Sequence, residues 1–164
     1  MIIFATYSLT KVLKKMFHVR HAVAGDGPAI IDFQLKMARE TESTELDPEV
    51  LARGVTAVFN DAGKGTYYVG EAEGKVVSSM MITREWSDWR NQWVYWLQSV
   101  YVIPSFRKKG LFKMMYDHIR QQVMNDTGVS GIRLYVDASN TVALSVYAAL
   151  GMDDEHYRLC EWMK

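Results

Sequence analysis

The run from Val100 to Phe112 holds the residue types and spacing from which chemistry can be inferred. Val100, Tyr101, Val102 and Ile103 have strand-type side chains, and Pro104 ends regular pairing. After Leu111 the apolar residues Phe112, Met115, Tyr116, Ile119 and Val123 recur at helical spacing, so the turn Arg107-Lys108-Lys109-Gly110 opens a helix. A helix start presents N–H groups without intrahelical acceptors and the positive end of the macrodipole, and a glycine lets an anion approach the main chain. With three cations in four residues, the turn reads as a cradle for a phosphate-bearing ligand. A basic helix start is also commonly a solvated surface turn, and one motif does not decide between the two.

A second group of residues follows by one helix and one strand. Leu134 to Val136 form a short strand, Asn140 is a good N-cap, residues 141–150 are helical and include Tyr147, and Gly151 is the stop. Taken together the two segments resemble the GNAT acyltransferase superfamily. Its acyl-CoA segment runs strand, Gln/Arg-x-x-Gly-x-Gly/Ala, helix, and the next runs strand, Asn-x-x-Ala-x-x-x-Tyr, Leu-Gly-hydrophobic. Arg107 and Gly110 match the first pattern, and Asn140, Ala143, Tyr147, Leu150 and Gly151 match the second. Phe112 departs from the family's small residue.

The resemblance implies transfer of an acyl group, usually acetyl, from acetyl-CoA to an amine. It assigns cofactor contacts to Val100, Tyr101 and Val102 on the central strand, to Arg107, Lys108, Lys109, Gly110, Leu111 and Phe112 in the cradle, and to Asn140 and Tyr147. A backbone N–H of the central strand would hold the oxyanion of a tetrahedral intermediate, and Tyr147 would protonate the departing sulfur. Many family members carry a glutamate on the central strand as general base, and Gln98 occupies that position here. An amide cannot take a proton, so Gln98 is expected to orient a water or the acceptor. Glu85, just after the third strand, is then the candidate base, and solvated surface is the competing role for this carboxylate. Glu40 and Glu42 lie in an acidic run between the first two helices that can draw in a cationic amine or simply face water.

Several chemistries are disfavoured by composition. The chain has 164 residues, 49% of them hydrophobic, enough for one globular domain with a full core. Formal net charge is zero, which gives nucleic acid or an anionic membrane no overall attraction. One cysteine, Cys160, excludes an intrachain disulfide and fits a reducing cytoplasm; its expected role is packing in the last strand. His18, His21, His118 and His156 show no metal-ligand spacing, so no metal is assigned. Neither Gly-x-x-x-x-Gly-Lys-Ser/Thr nor Gly-x-Gly-x-x-Gly occurs to support an unrelated nucleotide-binding protein. A catalytically silent acetyl-CoA-binding sensor or scaffold is the other alternative, suggested by Gln98 and Phe112.

The elements that must position these residues follow from periodicity and punctuation. Residues 1–15 read as an N-terminal appendage and 16–164 as the acetyltransferase domain. Strands are expected at 17–22, 66–72, 75–84, 94–103, 131–137 and 155–161, and helices at 28–40, 48–61, 108–126 and 141–150. That order is the GNAT one. The resemblance therefore implies an α/β (α+β) fold with a mixed, mostly antiparallel central sheet flanked by helices and splayed between the fourth and fifth strands. Trp86, Trp89, Trp93, Tyr95 and Trp96 crowd one loop and strand, where core packing, a homodimer interface or an acceptor wall would use them.

Overall fold

The computed structural model describes residues 17–154 and 158–164, so the expected appendage at 1–15 lies outside the described residues. Strands β1 (Phe17–His21), β2 (Thr66–Ala72), β3 (Lys75–Ser87), β4 (Gln92–Val102) and β5 (Val129–Leu134) lie side by side in chain order. The first four are antiparallel neighbours, and β5 runs parallel to β4. Helices α1 (Gly27–Thr41) and α2 (Pro48–Asn60) precede β2, and α3 (Leu111–Asn125) joins β4 to β5. This is the mixed α/β architecture expected.

Strand alternation shows how the helices are layered. Tyr67 stacks on Phe59 of α2, whereas its neighbour Tyr68 donates its hydroxyl to Gln122 of α3 at 2.9 Å. Successive side chains of a strand point to opposite faces, so α2 and α3 cover opposite faces of the sheet. Ile30, Val55, Tyr67 and Val69 form the buried cluster on the α1/α2 side. Leu111, Met115, Tyr116 and Ile119 supply the buried stripe of α3 at the spacing read from the sequence.

Two helix starts are set by local chemistry. Asp47 accepts from the backbone N–H groups of Glu49 and Val50 at 2.8 and 3.2 Å, and Pro48 follows at the first helical position. Asp26, almost buried, binds the Arg20 guanidinium through both oxygens and the Val23 N–H, which holds its carboxyl below the ordinary value. Arg20 also reaches Glu71 at 2.6 Å, tying the start of α1 to β1 and β2.

Residues 135–164 are described by themselves. Here α4 (Thr141–Ala149) is capped by Asn140, whose Oδ1 accepts from Ala143 N at 3.0 Å. It ends on Gly151 at φ 81°, with Gly151 N bonded to Ala148 O and Met152 N to Tyr147 O, a Schellman arrangement. The expected closing strand at 155–161 falls partly outside the described residues; residues 158–161 are not in a strand, and Cys160 is exposed rather than packed. The aromatic loop is also shorter than expected. Trp86 and Trp93 pair across β3 and β4 with rings 5.1 Å apart, so the ladder continues to Ser87 and Gln92.

One contact fixes where α3 begins. A Cβ on Gly70 of β2 would collide with Ser78 Oγ and lie 2.9 Å from Leu111 Cδ1. The missing side chain therefore lets the first residue of α3 sit against the sheet. Gly70→Ala is expected to destabilise the fold by roughly 1 to 3 kcal/mol through overpacking, read as a lower urea midpoint with an unchanged slope.

Candidate active site

β4 is irregular at its centre. Ser79 faces Tyr101 while Met81 faces Gln98, so Ser99 and Val100 together oppose one residue of β3. Ser99 takes the left-handed conformation at φ 53°, and its carbonyl accepts from the buried Gln34 side chain of α1 at 3.3 Å. Such a bulge re-aims the strand. β5 pairs with β4 only from Trp93 to Leu97, leaving Gln98 to Val102 with no strand partner on that side among the described residues. Ile103 N bonds to Val77 O, so by alternation Val100 and Val102 turn their polar backbone groups toward the open side. The pairing thus gives the expected splay between the fourth and fifth strands.

The open edge leads through a 3₁₀ turn, Pro104–Phe106, into the basic turn. Lys108 and Gly110 both have positive φ, 60° and 80°, and Gly110 is the N-cap of α3 without any side-chain cap. The first N–H groups of α3 have no intrahelical acceptors. Lys108 and Lys109 are exposed beside them, Lys109 lying 5.0 Å over the Phe106 ring. α3 starts at Leu111 rather than at Lys108 because these two left-handed residues precede it. Leu111 is buried, and Phe112 tilts toward Tyr116 with ring centroids 6.4 Å apart, so the aromatic ring belongs to the helix stripe. A left-handed glycine, two cations and oriented N–H donors suit a diphosphate.

Arg107 is used differently from its neighbours. Its Nε donates to the Val102 carbonyl at 2.8 Å, its NH2 reaches Glu40 Oε2 at 2.5 Å, and its guanidinium lies 5.2 Å over the Tyr101 ring. Glu40 Oε1 accepts from the Tyr101 hydroxyl at 2.7 Å. The Tyr101 hydroxyl and then Arg107 hold the Glu40 carboxyl below its ordinary value. Burial first, and then the Glu40 charge, push the Tyr101 phenol up to about 12.

Within residues 17–134 the remaining candidates are dispersed. Gln98 donates to Thr83 Oγ1 at 2.6 Å. Both oxygens of Glu85 are engaged, one by Trp96 Nε1 and one by Arg133, each at 2.7 Å. Glu85 pairs with Val94, five residues from Ser99, which at about 3.3 Å per residue is roughly 16 Å from the bulge. Glu42 is exposed and accepts from Thr41 Oγ1 at 3.2 Å. In α4, Asn140 is committed to its cap, and burial raises the Tyr147 phenol above its ordinary value. Among the described residues no group of three or more His, Cys, Asp or Glu side chains is placed to hold a metal ion. A cavity of about 400 Å³ lies at the other end of α3, lined by Gln122, Asp126, Tyr68, Arg84 and Tyr95. That end carries the negative pole of the helix and is unsuited to a diphosphate.

A model of the GNAT acetyltransferase family matches residues 28–152, which include the bulged strand, the basic turn and α4. The chain belongs to the GNAT acetyltransferase family. Among solved structures, a possible acetyltransferase from Clostridium difficile 630 is 39% identical, with 91% of this chain and 98% of that one covered and a TM-score of 0.84. An aminoglycoside acetyltransferase from an uncultured soil metagenomic sample, in complex with sisomicin, is 15% identical with 93% and 99% covered and a TM-score of 0.72. A predicted acetyltransferase with acetyl-CoA from Clostridium acetobutylicum is 17% identical with 91% and 95% covered and a TM-score of 0.69. No curated protein matches the sequence.

Membership in the GNAT family sets aside an unrelated nucleotide-binding fold. Three site features of this GNAT chain had no sequence signal: the bulge at Ser99, its support by Gln34, and the Glu40–Tyr101–Arg107 network, whose outer members are 67 residues apart. Because the folded Glu40 pKa is depressed, its contribution is fully present above the ordinary value of 4.5 and is lost as pH falls through the lower folded value. With side chains 43% and 38% exposed, Arg107 and Glu40 form a screened pair worth at most about 1 kcal/mol. Glu40→Gln should therefore fold, be slightly less stable than the parent at pH 7, and converge with it in acid, as urea midpoints across pH would show.

Proposed function

We propose that this protein is an N-acetyltransferase that moves an acetyl group from acetyl-CoA to a primary amine of a small molecule or peptide. The observation that carries this is the continuity of three features. An unpaired β4 edge leads into a basic turn with left-handed Gly110, and that turn opens an α3 N-terminus without a side-chain cap. Acetyl-CoA supplies the acyl group as a thioester activated toward amines. Lys108, Lys109 and the N–H groups of Gly110, Leu111 and Phe112 hold its diphosphate, and Val100, Tyr101 and Val102 run beside the pantetheine arm. Asn140 and Tyr147 complete the cofactor contacts.

The amine attacks the carbonyl carbon, the Val100 N–H stabilises the oxyanion, and collapse of the tetrahedral species breaks the carbon–sulfur bond. Tyr147 donates its proton to the departing sulfur. Its raised pKa keeps the phenol protonated at neutral pH, as a general acid requires. An alkylamine with a pKa near 10.4 needs roughly 4 to 5 kcal/mol to reach its free base at neutral pH. Glu85 is remote and doubly bonded, and Gln98 cannot accept a proton, so the amine gives its proton to water that Gln98 orients. Glu42, with no ion pair among the described residues, is the carboxylate offered to a cationic acceptor. The fold shared with an aminoglycoside acetyltransferase makes polyamines the first class to test. A cytoplasmic setting accords with the single exposed cysteine, and the exposed Trp86, Trp89 and Trp93 offer a surface for a homodimer. The commitment of Glu85 to Arg133 favours, as a second reading, a silent acetyl-CoA-binding domain.

Thiol release from acetyl-CoA across an amine panel separates the two, since the silent domain binds without turnover. Acetyl-CoA should bind well above acetyl-pantetheine, and its affinity should fall as salt screens Lys108 and Lys109. Equal affinities would remove the cradle from the mechanism.

Without a carboxylate base, turnover should rise with pH toward the amine pKa, and Glu85→Gln should leave that profile in place; a variant that loses turnover at neutral pH and recovers part of it in alkaline buffer would make Glu85 the base.

Tyr147→Phe should fold and bind acetyl-CoA normally yet lose roughly 10²-fold in turnover, the lower end for general acid catalysis. The loss should shrink with a donor whose thiol is more acidic. Unchanged turnover on the best amine would return Tyr147 to packing.

A further inference from the structure

The phosphate turn contains a conformational cost that something must offset. Lys108 has φ 60° with a full side chain, in a conformation that costs a non-glycine residue on the order of 1 kcal/mol or more. Residues 107–109 are exposed, so the turn has no core of its own. It is pinned at its two ends. Downstream, Leu111 is 1% exposed against β2. Upstream the anchor is the Arg107 side chain, which bonds back to the Val102 carbonyl and across to Glu40.

Glu40 is itself fixed from β4. Its other oxygen accepts from Tyr101, whose ring lies against Phe33 at 5.5 Å, two α1 turns (seven residues) before Glu40. One carboxylate on α1 therefore joins the end of β4 to the first residue of the turn. Resting on the proposal that acetyl-CoA binds at this turn, we infer that Glu40 is a positioning residue for the cofactor's diphosphate. Arg107 serves that diphosphate as a strut held by Glu40, and its side chain is not a phosphate ligand.

The two possible roles of Arg107 make opposite forecasts for Glu40→Gln. If Arg107 were a phosphate ligand restrained by Glu40, releasing it would leave acetyl-CoA binding unchanged or tighten it. As a strut, its release lets the turn leave the binding conformation, and affinity drops by the inverse of the fraction still competent, about three- to tenfold.

The experiment is calorimetric titration of parent, Glu40→Gln, Arg107→Gln and the double variant with acetyl-CoA and with acetyl-pantetheine, which lacks the diphosphate. Expected are similar acetyl-CoA losses in both single variants, no further loss in the double variant, unchanged acetyl-pantetheine affinity, and a salt dependence equal to the parent's. Equal or tighter binding in Glu40→Gln, additive losses, an equal loss for acetyl-pantetheine, or a shallower salt dependence in Arg107→Gln would each overturn the strut. Failure of the parent itself to bind acetyl-CoA would overturn the proposed function, and the strut with it. Arg107→Gln keeps the question decidable should Glu40→Gln fold poorly.

Discussion

The seating of Leu111 against Gly70 and Ser78 is the contact on which the site geometry depends. A helix dipole is useful only where the helix begins, and its influence fades within a turn. α3 begins where it does because β2 carries no side chain at Gly70, so Leu111 can reach the sheet and become buried. Ser78 occupies the same gap and donates to Met115 Sδ at 3.0 Å, so the next turn of α3 is located by the same cluster. A larger residue at 70 would lift the helix start and carry the basic turn with it.

A second constraint acts from the other face. α1 contacts β4 at the bulge through Gln34 and at the strand end through Phe33 and Glu40. The bulge removes β4 from regular pairing at the residues whose backbone would face an acyl group, and a buried amide on α1 stabilises the carbonyl left outside the ladder. Orphaned polar backbone is costly when buried, so Gln34 is used where a pure packing role would take leucine. The α1 helix thus supports both the bulge in β4 and the turn that follows the strand.

Elements with repeating patterns were legible in the sequence. The α3 stripe from Leu111 to Ile119, the Asp47-Pro48 start of α2, and the Asn140 cap with its Gly151 stop all appear where period and cap chemistry put them. Phe112, a departure from the family pattern, turns out to lie on the helix stripe beside Tyr116. What could not be read was long-range pairing. Nothing local to Glu40 marks it as a partner of Tyr101 and Arg107; it sat in an acidic run that suggested a cationic acceptor. Glu85 likewise looked available until strand pairing brought Trp96 and Arg133 to its two oxygens. Period and caps are properties of neighbours in the chain, whereas ion pairs belong to the assembled sheet.

The distribution of carboxylates bears on the chemistry. Glu40 and Glu85 are each bonded to a cation and a neutral donor, and for Glu40 the Tyr101 hydroxyl and Arg107 hold the carboxyl below its ordinary value. Asp47 is committed to capping α2 and Glu45 to Arg39. At the start of the open half of β4, Gln98 is an amide held by Thr83. A base at that position would compete for the proton of every ammonium that approached, whereas an amide leaves protonation to the acceptor's own pKa. Under the proposed function selectivity would then fall on the acceptor: amines of low pKa would arrive as nucleophiles, and strongly basic ones would be favoured only in proportion to their free-base fraction. Under the proposed function, a site without a carboxylate base would sort acceptors by basicity before any pocket sorts them by shape.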